Sequence, residues 1–86
     1  MSVTLLVVAL EEEQALPALV ARLAALDPKP AEVLLVDGGS MDGTVAIARD
    51  AGWRVLAAER GRALQINHGV AAARGELVCV LHADTL

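Results

Sequence analysis

The sequence predicts an α/β domain: a parallel sheet with helices packed on it, wound β-α-β-α-β-α-β. Three observations predict it. Aliphatic runs of strand length recur at residues 3–10, 33–36, 53–57 and 77–81, the third being the weakest. Stretches with helical spacing or caps lie between them. Glycines and prolines separate the segments. Strict alternation implies parallel strands joined by right-handed crossovers, with an expected sheet order of 3-2-1-4. The direction of the strand-to-strand connections then reverses between strands 1 and 4, where a crevice is expected at the carboxyl ends.

Taken in order, residues 3–10 (Val-Thr-Leu-Leu-Val-Val-Ala-Leu) read as the first buried strand, followed at once by Glu11, Glu12 and Glu13. Leu16, Leu19, Val20, Leu23 and Leu26 recur on one helical face. Pro17 is tolerated there only in the first turn. Asp27-Pro28-Lys29-Pro30 ends that helix. The second strand, Val33-Leu34-Leu35-Val36, runs into Asp37-Gly38-Gly39-Ser40-Met41-Asp42-Gly43-Thr44, the stretch that organises the chain. Ser40 and Asp42 are candidate N-caps for a helix over residues 45–49, and Gly52 is its C′ residue. Residues 53–57 form the weaker third strand, with Arg54 suggesting an outer position. Glu59-Arg60-Gly61-Arg62 leads to a third helix over about residues 63–73, closed by Gly75. Leu77-Val78-Cys79-Val80-Leu81 is the fourth strand, and His82-Ala83-Asp84-Thr85-Leu86 follows it.

Composition narrows the functional classes. A chain of 86 residues holds one domain at most. It buries only roughly 60–65% of its unfolded surface. With 56% apolar residues, one Trp and neither Phe nor Tyr, the core must be aliphatic and alanine-rich. A net charge of −4 with dispersed cations argues against nucleic acid as a partner. The single cysteine, Cys79, reads as a small buried hydrophobe, and the absence of a disulfide framework fits a reducing cytosol. The first apolar run is too short to span a bilayer, lacks a basic leader and precedes three glutamates. The expectation is a cytoplasmic protein without a transmembrane segment, with peripheral membrane attachment as the alternative.

The predicted winding brings the polar clusters to one sheet edge: Glu11–Glu13, Asp37, Glu59–Arg62 and His82–Asp84. An acidic rim with a glycine loop and arginines suits a phosphorylated ligand held partly through a divalent cation, which commonly takes one or two carboxylates plus phosphates. Asp84 is the leading carboxylate, or else the cap of a following helix. Asp37 is a ligand or a turn residue accepting backbone N–H bonds. Asp42 is more naturally a cap, and Arg60 and Arg62 suit bidentate contact with a diphosphate. Two related folds are excluded. A dinucleotide fold needs Gly-x-Gly-x-x-Gly after the first strand, where glutamates stand. A phospho-receiver needs its acid on the third strand and a lysine near the end, whereas the one lysine is Lys29.

The stretch Leu35-Val36-Asp37-Gly38-Gly39-Ser40-Met41-Asp42-Gly43-Thr44 resembles the V-D-D/G-G-S-x-D-G-T signature of family 2 glycosyltransferases of the GT-A fold. Arg62 to Gly69 is similar to that family's R-x-x-x-x-N-x-G segment, and Ala73-Arg74-Gly75-Glu76 with Leu81-His82-Ala83-Asp84-Thr85 to its A-x-G-[DE] strand and D-x-D motif. The L-H-A-D-T form resembles a small bacterial subgroup described as radical-SAM/selenodomain-associated transferases. The resemblance implies a Rossmann-like three-layer domain, the nucleotide-binding half of a GT-A fold, across residues 1–86. It implies a nucleotide-diphosphate-sugar donor, Mg²⁺ or Mn²⁺, and inverting transfer of the sugar to an unknown acceptor. Carried over by position, Glu11, Glu12, Asp37, Gly38 and Gly39 line the nucleoside side and Arg62 faces the diphosphate. Asp84 is the metal carboxylate, with His82 as a second candidate ligand where the family has an acid. Gly38 replaces the acid that reads the base in relatives, so relaxed base selectivity is expected. The general base is expected beyond Leu86, the chain reading as truncated after the D-x-D-like motif. A non-catalytic nucleotide-binding module is the alternative. Self-association through the edge of the fourth strand is also expected, because that strand is long and apolar.

Overall fold

The computed structural model describes residues 2–83. Its elements are β1 (Val3–Ala9), α1 (Leu16–Ala24), β2 (Glu32–Asp37), α2 (Thr44–Asp50), β3 (Arg54–Ala57), α3 (Arg62–Ala72) and β4 (Leu77–His82). The four strands form one parallel sheet in the order β3-β2-β1-β4, as the alternation predicts. Register aligns the carboxyl ends. Ala9, Asp37 and Ala57 stand in one row across β1, β2 and β3, while His82 pairs with Val8.

Strand alternation sorts the core into two faces. Leu5, Val7, Ala9 and Leu35 pack against Leu16, Leu19 and Leu23 of α1 and Ala48 of α2. Leu6, Leu34 and Val36 face the other way, towards Ile66 and Ala72 of α3. The result is a three-layer, Rossmann-like domain. Pro17 falls in the first turn of α1, where its missing N–H removes no helical bond. No helix among the described residues is long and apolar enough to cross a membrane.

Several local expectations need correction. Neither Ser40 nor Asp42 is the N-cap of α2; Gly43 holds that place, although the Asp42 carboxylate accepts the Thr44 N–H at 2.9 Å. Leu26 lies past the end of α1 and is largely exposed, so the buried stripe is Leu16, Leu19 and Leu23. Gly75 does not close α3. The helix stops at Ala72 with Ala73 extended, and Gly75 is required because a Cβ there would lie 2.6 Å from the Thr4 backbone nitrogen. Gly52, by contrast, is the left-handed C′ residue of α2, at φ 83°.

Cys79 is exposed, not buried. The apolar run around it suggested burial, but β4 is an edge strand whose one extensive neighbour among the described residues is β1. Leu77 and Val80 are exposed with it, at 51% and 38%. Native protein is expected to react with a chromogenic thiol reagent at Cys79 to the same stoichiometry as denatured protein. A thiol protected until denaturant is added would show that this edge is covered in solution.

Polar side chains knit the amino ends of the strands. The Glu32 carboxylate accepts from the Thr4 hydroxyl (2.8 Å), from Arg54 Nη1 (3.3 Å) and from the Arg74 N–H (2.6 Å). Thr4 Oγ1 in turn accepts the Gly75 N–H at 2.9 Å. Arg54 also donates to the Ala72 carbonyl at 2.9 Å, at the negative end of α3. One carboxylate on β2 thus ties β1, β3 and the segment entering β4. Burial opposes the charge on Glu32, but the Arg74 N–H, the Thr4 hydroxyl and Arg54 outweigh it, so its pKa is lowered.

Candidate functional site

The opposite, carboxyl edge gathers most of the residues the sequence singled out. The Asp37 carboxylate folds its own loop. Oδ2 accepts the N–H groups of Gly39 (3.1 Å) and Ser40 (2.8 Å), and Oδ1 accepts the Ser40 hydroxyl at 2.5 Å. Gly39 sits at φ 104°, which this turn requires and other residues resist. Asp37 is 5% exposed, so its first visible role is to build the loop.

The loop after β1 is laced to the loop after β2. Glu11 adopts φ 53°, a left-handed conformation that is unusual outside glycine. It is held there by its N–H donating to Ser40 Oγ (2.8 Å) and by its carboxylate accepting the Met41 and Asp42 N–H groups at 3.2 Å. The Glu12 N–H donates to Thr44 Oγ1 at 2.9 Å and the Glu13 N–H to Asp42 Oδ2 at 3.2 Å, while the Glu13 carboxylate accepts the Gly43 N–H. The Thr44 hydroxyl also donates to Asp42. That bond leads the causes lowering the Asp42 pKa, against partial desolvation, and the N–H groups of Thr44 and Glu13 add to it. The carboxylates of Glu11, Glu13, Asp37 and Asp42 are hydrogen-bonded by main-chain N–H groups and by the Ser40 and Thr44 hydroxyls.

Arg62 begins α3 and is exposed beside Gly61, which takes φ 140°. Arg60 is exposed next to it, and neither arginine has an ion-pair partner among the described residues. Cationic side chains at a helix N-terminus suit an anion such as a diphosphate. His82 ends β4, half-buried. Asp84, the leading metal candidate, lies outside the described residues. Among the described residues no cluster of three or more His, Cys, Asp or Glu side chains is placed to hold a metal. The donor chemistry still fits a hard cation, since Mg²⁺ is commonly held by one or two carboxylates with phosphates and water completing its shell.

Gln65 is the site residue the sequence did not reveal. Its side chain is 3% exposed, and Nε2 donates to the carbonyls of Ala9 and Val36, each at 3.0 Å, where β1 and β2 end. Oε1 accepts the Gly61 N–H at 3.2 Å. A readable signal exists. Gly69 stands four residues after Gln65 on the same face of α3, and that face lies against Leu6 and Val36 of the sheet. A hollow of about 550 Å³, lined by Val20, Leu23, Val33 and Trp53 among others, lies at the amino end of the sheet, away from these groups. The crevice expected at the carboxyl ends of β1 and β4 is not the location of that hollow.

Residues 4–86 match the model of glycosyl transferase family 2. No curated protein matches by sequence. Solved structures share the fold. Glucosyl-3-phosphoglycerate synthase from Mycobacterium tuberculosis, in complex with Mn²⁺, uridine diphosphate and glucosyl-3-phosphoglycerate, superposes with a TM-score of 0.87 at 22% identity, over 99% of this chain and 34% of that one. The same enzyme with Mg²⁺ and uridine diphosphate gives 0.84 at 22% identity, over 95% of this chain and 33% of that one. A further mycobacterial protein gives 0.87 at 24% identity, over 99% and 32%. The chain therefore spans about a third of the length of these structures.

Proposed function

Because the chain belongs to glycosyl transferase family 2, we propose that it forms the donor-binding half of a metal-dependent, inverting glycosyltransferase that takes a nucleotide-diphosphate sugar. The observation that carries this reading is the carboxyl edge. There a loop built on Asp37 and laced to Glu11–Glu13 stands with the Arg60–Arg62 turn at the ends of adjacent parallel strands. Open α/β sheets place ligands at that edge. Similar structures hold uridine diphosphate with Mn²⁺ or Mg²⁺, which supports the donor class.

In this reading Gly38, Gly39 and the glutamate loop flank the nucleoside, and Arg62 neutralises the diphosphate. Asp84, with His82 beside it in sequence, is the proposed holder of Mg²⁺ or Mn²⁺. When bound, the metal supplies Lewis-acid stabilisation of the departing diphosphate.

Titration calorimetry of the full chain with uridine diphosphate, with and without Mn²⁺, tests the reading. Binding is expected to be metal-dependent, and Asp84→Ala is expected to weaken the metal-dependent part by at least about tenfold, the scale of one lost charged contact. Unchanged metal-dependent affinity in Asp84→Ala would remove Asp84 from the site. Binding of nucleotide without any sugar transfer, in a protein supplied with the rest of its catalytic residues, would favour the non-catalytic module.

A further inference from the structure

We propose that Gln65 is a positioning residue for the donor: it fixes the start of α3, and with it Arg62, against the carboxyl ends of β1 and β2. The proposal rests on the donor-binding reading above. Three main-chain groups from three segments meet on this one carboxamide: the carbonyls of Ala9 and Val36 and the N–H of Gly61. Two carbonyls on one side and an N–H on the other admit only one orientation of the amide. Arg62 directly follows Gly61, so the bond to Gly61 sets where the guanidinium starts from.

Gly38 completes the device. A Cβ at position 38 would lie 2.9 Å from Gln65 Oε1 and 3.0 Å from its Cδ. The carboxamide therefore fills the space a side chain at 38 would take, and glycine there is the counterpart of glutamine at 65. The Gly38 N–H also donates to the Ala9 carbonyl at 3.0 Å, the same oxygen that accepts from Gln65. The glycine loop after β2 and the arginine turn before α3 are thus referenced to one acceptor. Small displacements of a positioning contact are costly: about 1 Å of misplacement is enough for roughly a hundredfold loss in a reaction.

The test is a cycle of affinities for uridine diphosphate with Mn²⁺, measured on the full chain well below its melting temperature. Gln65→Leu is expected to weaken binding about tenfold or more. In an Arg62→Ala background the same change is expected to alter affinity less than about twofold, because Gln65 acts through Arg62 and coupled residues are not additive. Equal losses in both backgrounds, or an unchanged affinity in Gln65→Leu, would overturn the proposal while leaving the donor reading intact. Absence of any binding by the wild-type chain would overturn the donor reading and the proposal with it. If Gln65→Leu does not fold, Gln65→Met serves instead, since it keeps the length of the side chain and removes only the carboxamide. It too is expected to weaken binding in the wild-type background and not in Arg62→Ala. Additive losses there count against the proposal in the same way.

Discussion

Gly69→Val is expected to destabilise the fold by more than about 3 kcal/mol, a large share of its total stability. A Cβ built on Gly69 would sit 2.2 Å from Leu6 Cδ1 and 2.8 Å from Val36 Cγ2. Both neighbours are fully buried, so neither has free space to move into. Overpacking a close-packed core typically costs about 1–3 kcal/mol, and two further methyl groups go beyond that range. A chain of this length has roughly 4–13 kcal/mol of total stability. Alanine at the same position separates two effects of opposite sign. Helix propensity alone would stabilise by about 1 kcal/mol, whereas packing predicts net destabilisation of about 1–2 kcal/mol. Urea denaturation followed by circular dichroism decides between them. A more stable Gly69→Ala would mean that α3 can lift from the sheet at little cost.

Glu32→Gln is expected to cost about 2 kcal/mol at pH 7, since hydrogen bonds to a charged group contribute about 1.5–3 kcal/mol and the partly buried carboxylate offsets some of that by desolvation. In a domain of this size that lowers the melting temperature by roughly 8–16 °C. The pH dependence carries the sign. The folded-state pKa of Glu32 lies below its ordinary 4.5, so its contribution is complete above the unfolded value and is lost as pH falls through the folded one. Wild type and Glu32→Gln should therefore differ most at neutral pH and converge as pH falls below 4.5 and through the lowered folded-state pKa. A gap that stays constant down to pH 3 would show that shape, not charge, is what Glu32 supplies.

Much of this architecture is legible in the residues themselves. Val33-Leu34-Leu35-Val36 suits a strand covered on both faces, and the two glycines after Asp37 suit a turn, so the position of the loop is readable from the chain. Alternation and handedness make the sheet parallel, and the order 3-2-1-4 is one of the doubly wound orders they allow. Cys79 shows where such reading stops. Its neighbours are as apolar as those of Leu35, yet exposure depends on which strand lies next to β4, and side-chain character does not encode that. Gln65 shows a second limit. A polar residue within a helix reads as a surface residue, and its burial becomes visible only once Gly69, one turn further on, is recognised as a point of close approach to the sheet. The capping of α2 was misplaced by one residue or more, because Asp42 bonds to Thr44 while its backbone stays outside the cap.

The register between β1 and β4 has a kinetic consequence. The two halves of the β1–β2 pairing, such as Thr4 and Glu32, are 28 residues apart, while Val3 and Leu77 are 74 apart. Closing the longer loop costs about 0.9 kcal/mol more in chain entropy, and no strand pair here is a hairpin that can form early on its own. Of these four strands β1 is synthesised first, and its partner β4 follows β2, β3 and the three helices. Until then one side of β1 stands open, and β2 with α3 must hold the nascent sheet together. Sequence-distant pairing of this kind slows folding and prolongs the exposure of apolar strands. In the folded domain Glu32 accepts from Thr4 of β1, from Arg54 of β3 and from the Arg74 N–H that leads into β4. The most sequence-distant of these strands is thus tied, through one carboxylate, to the other three.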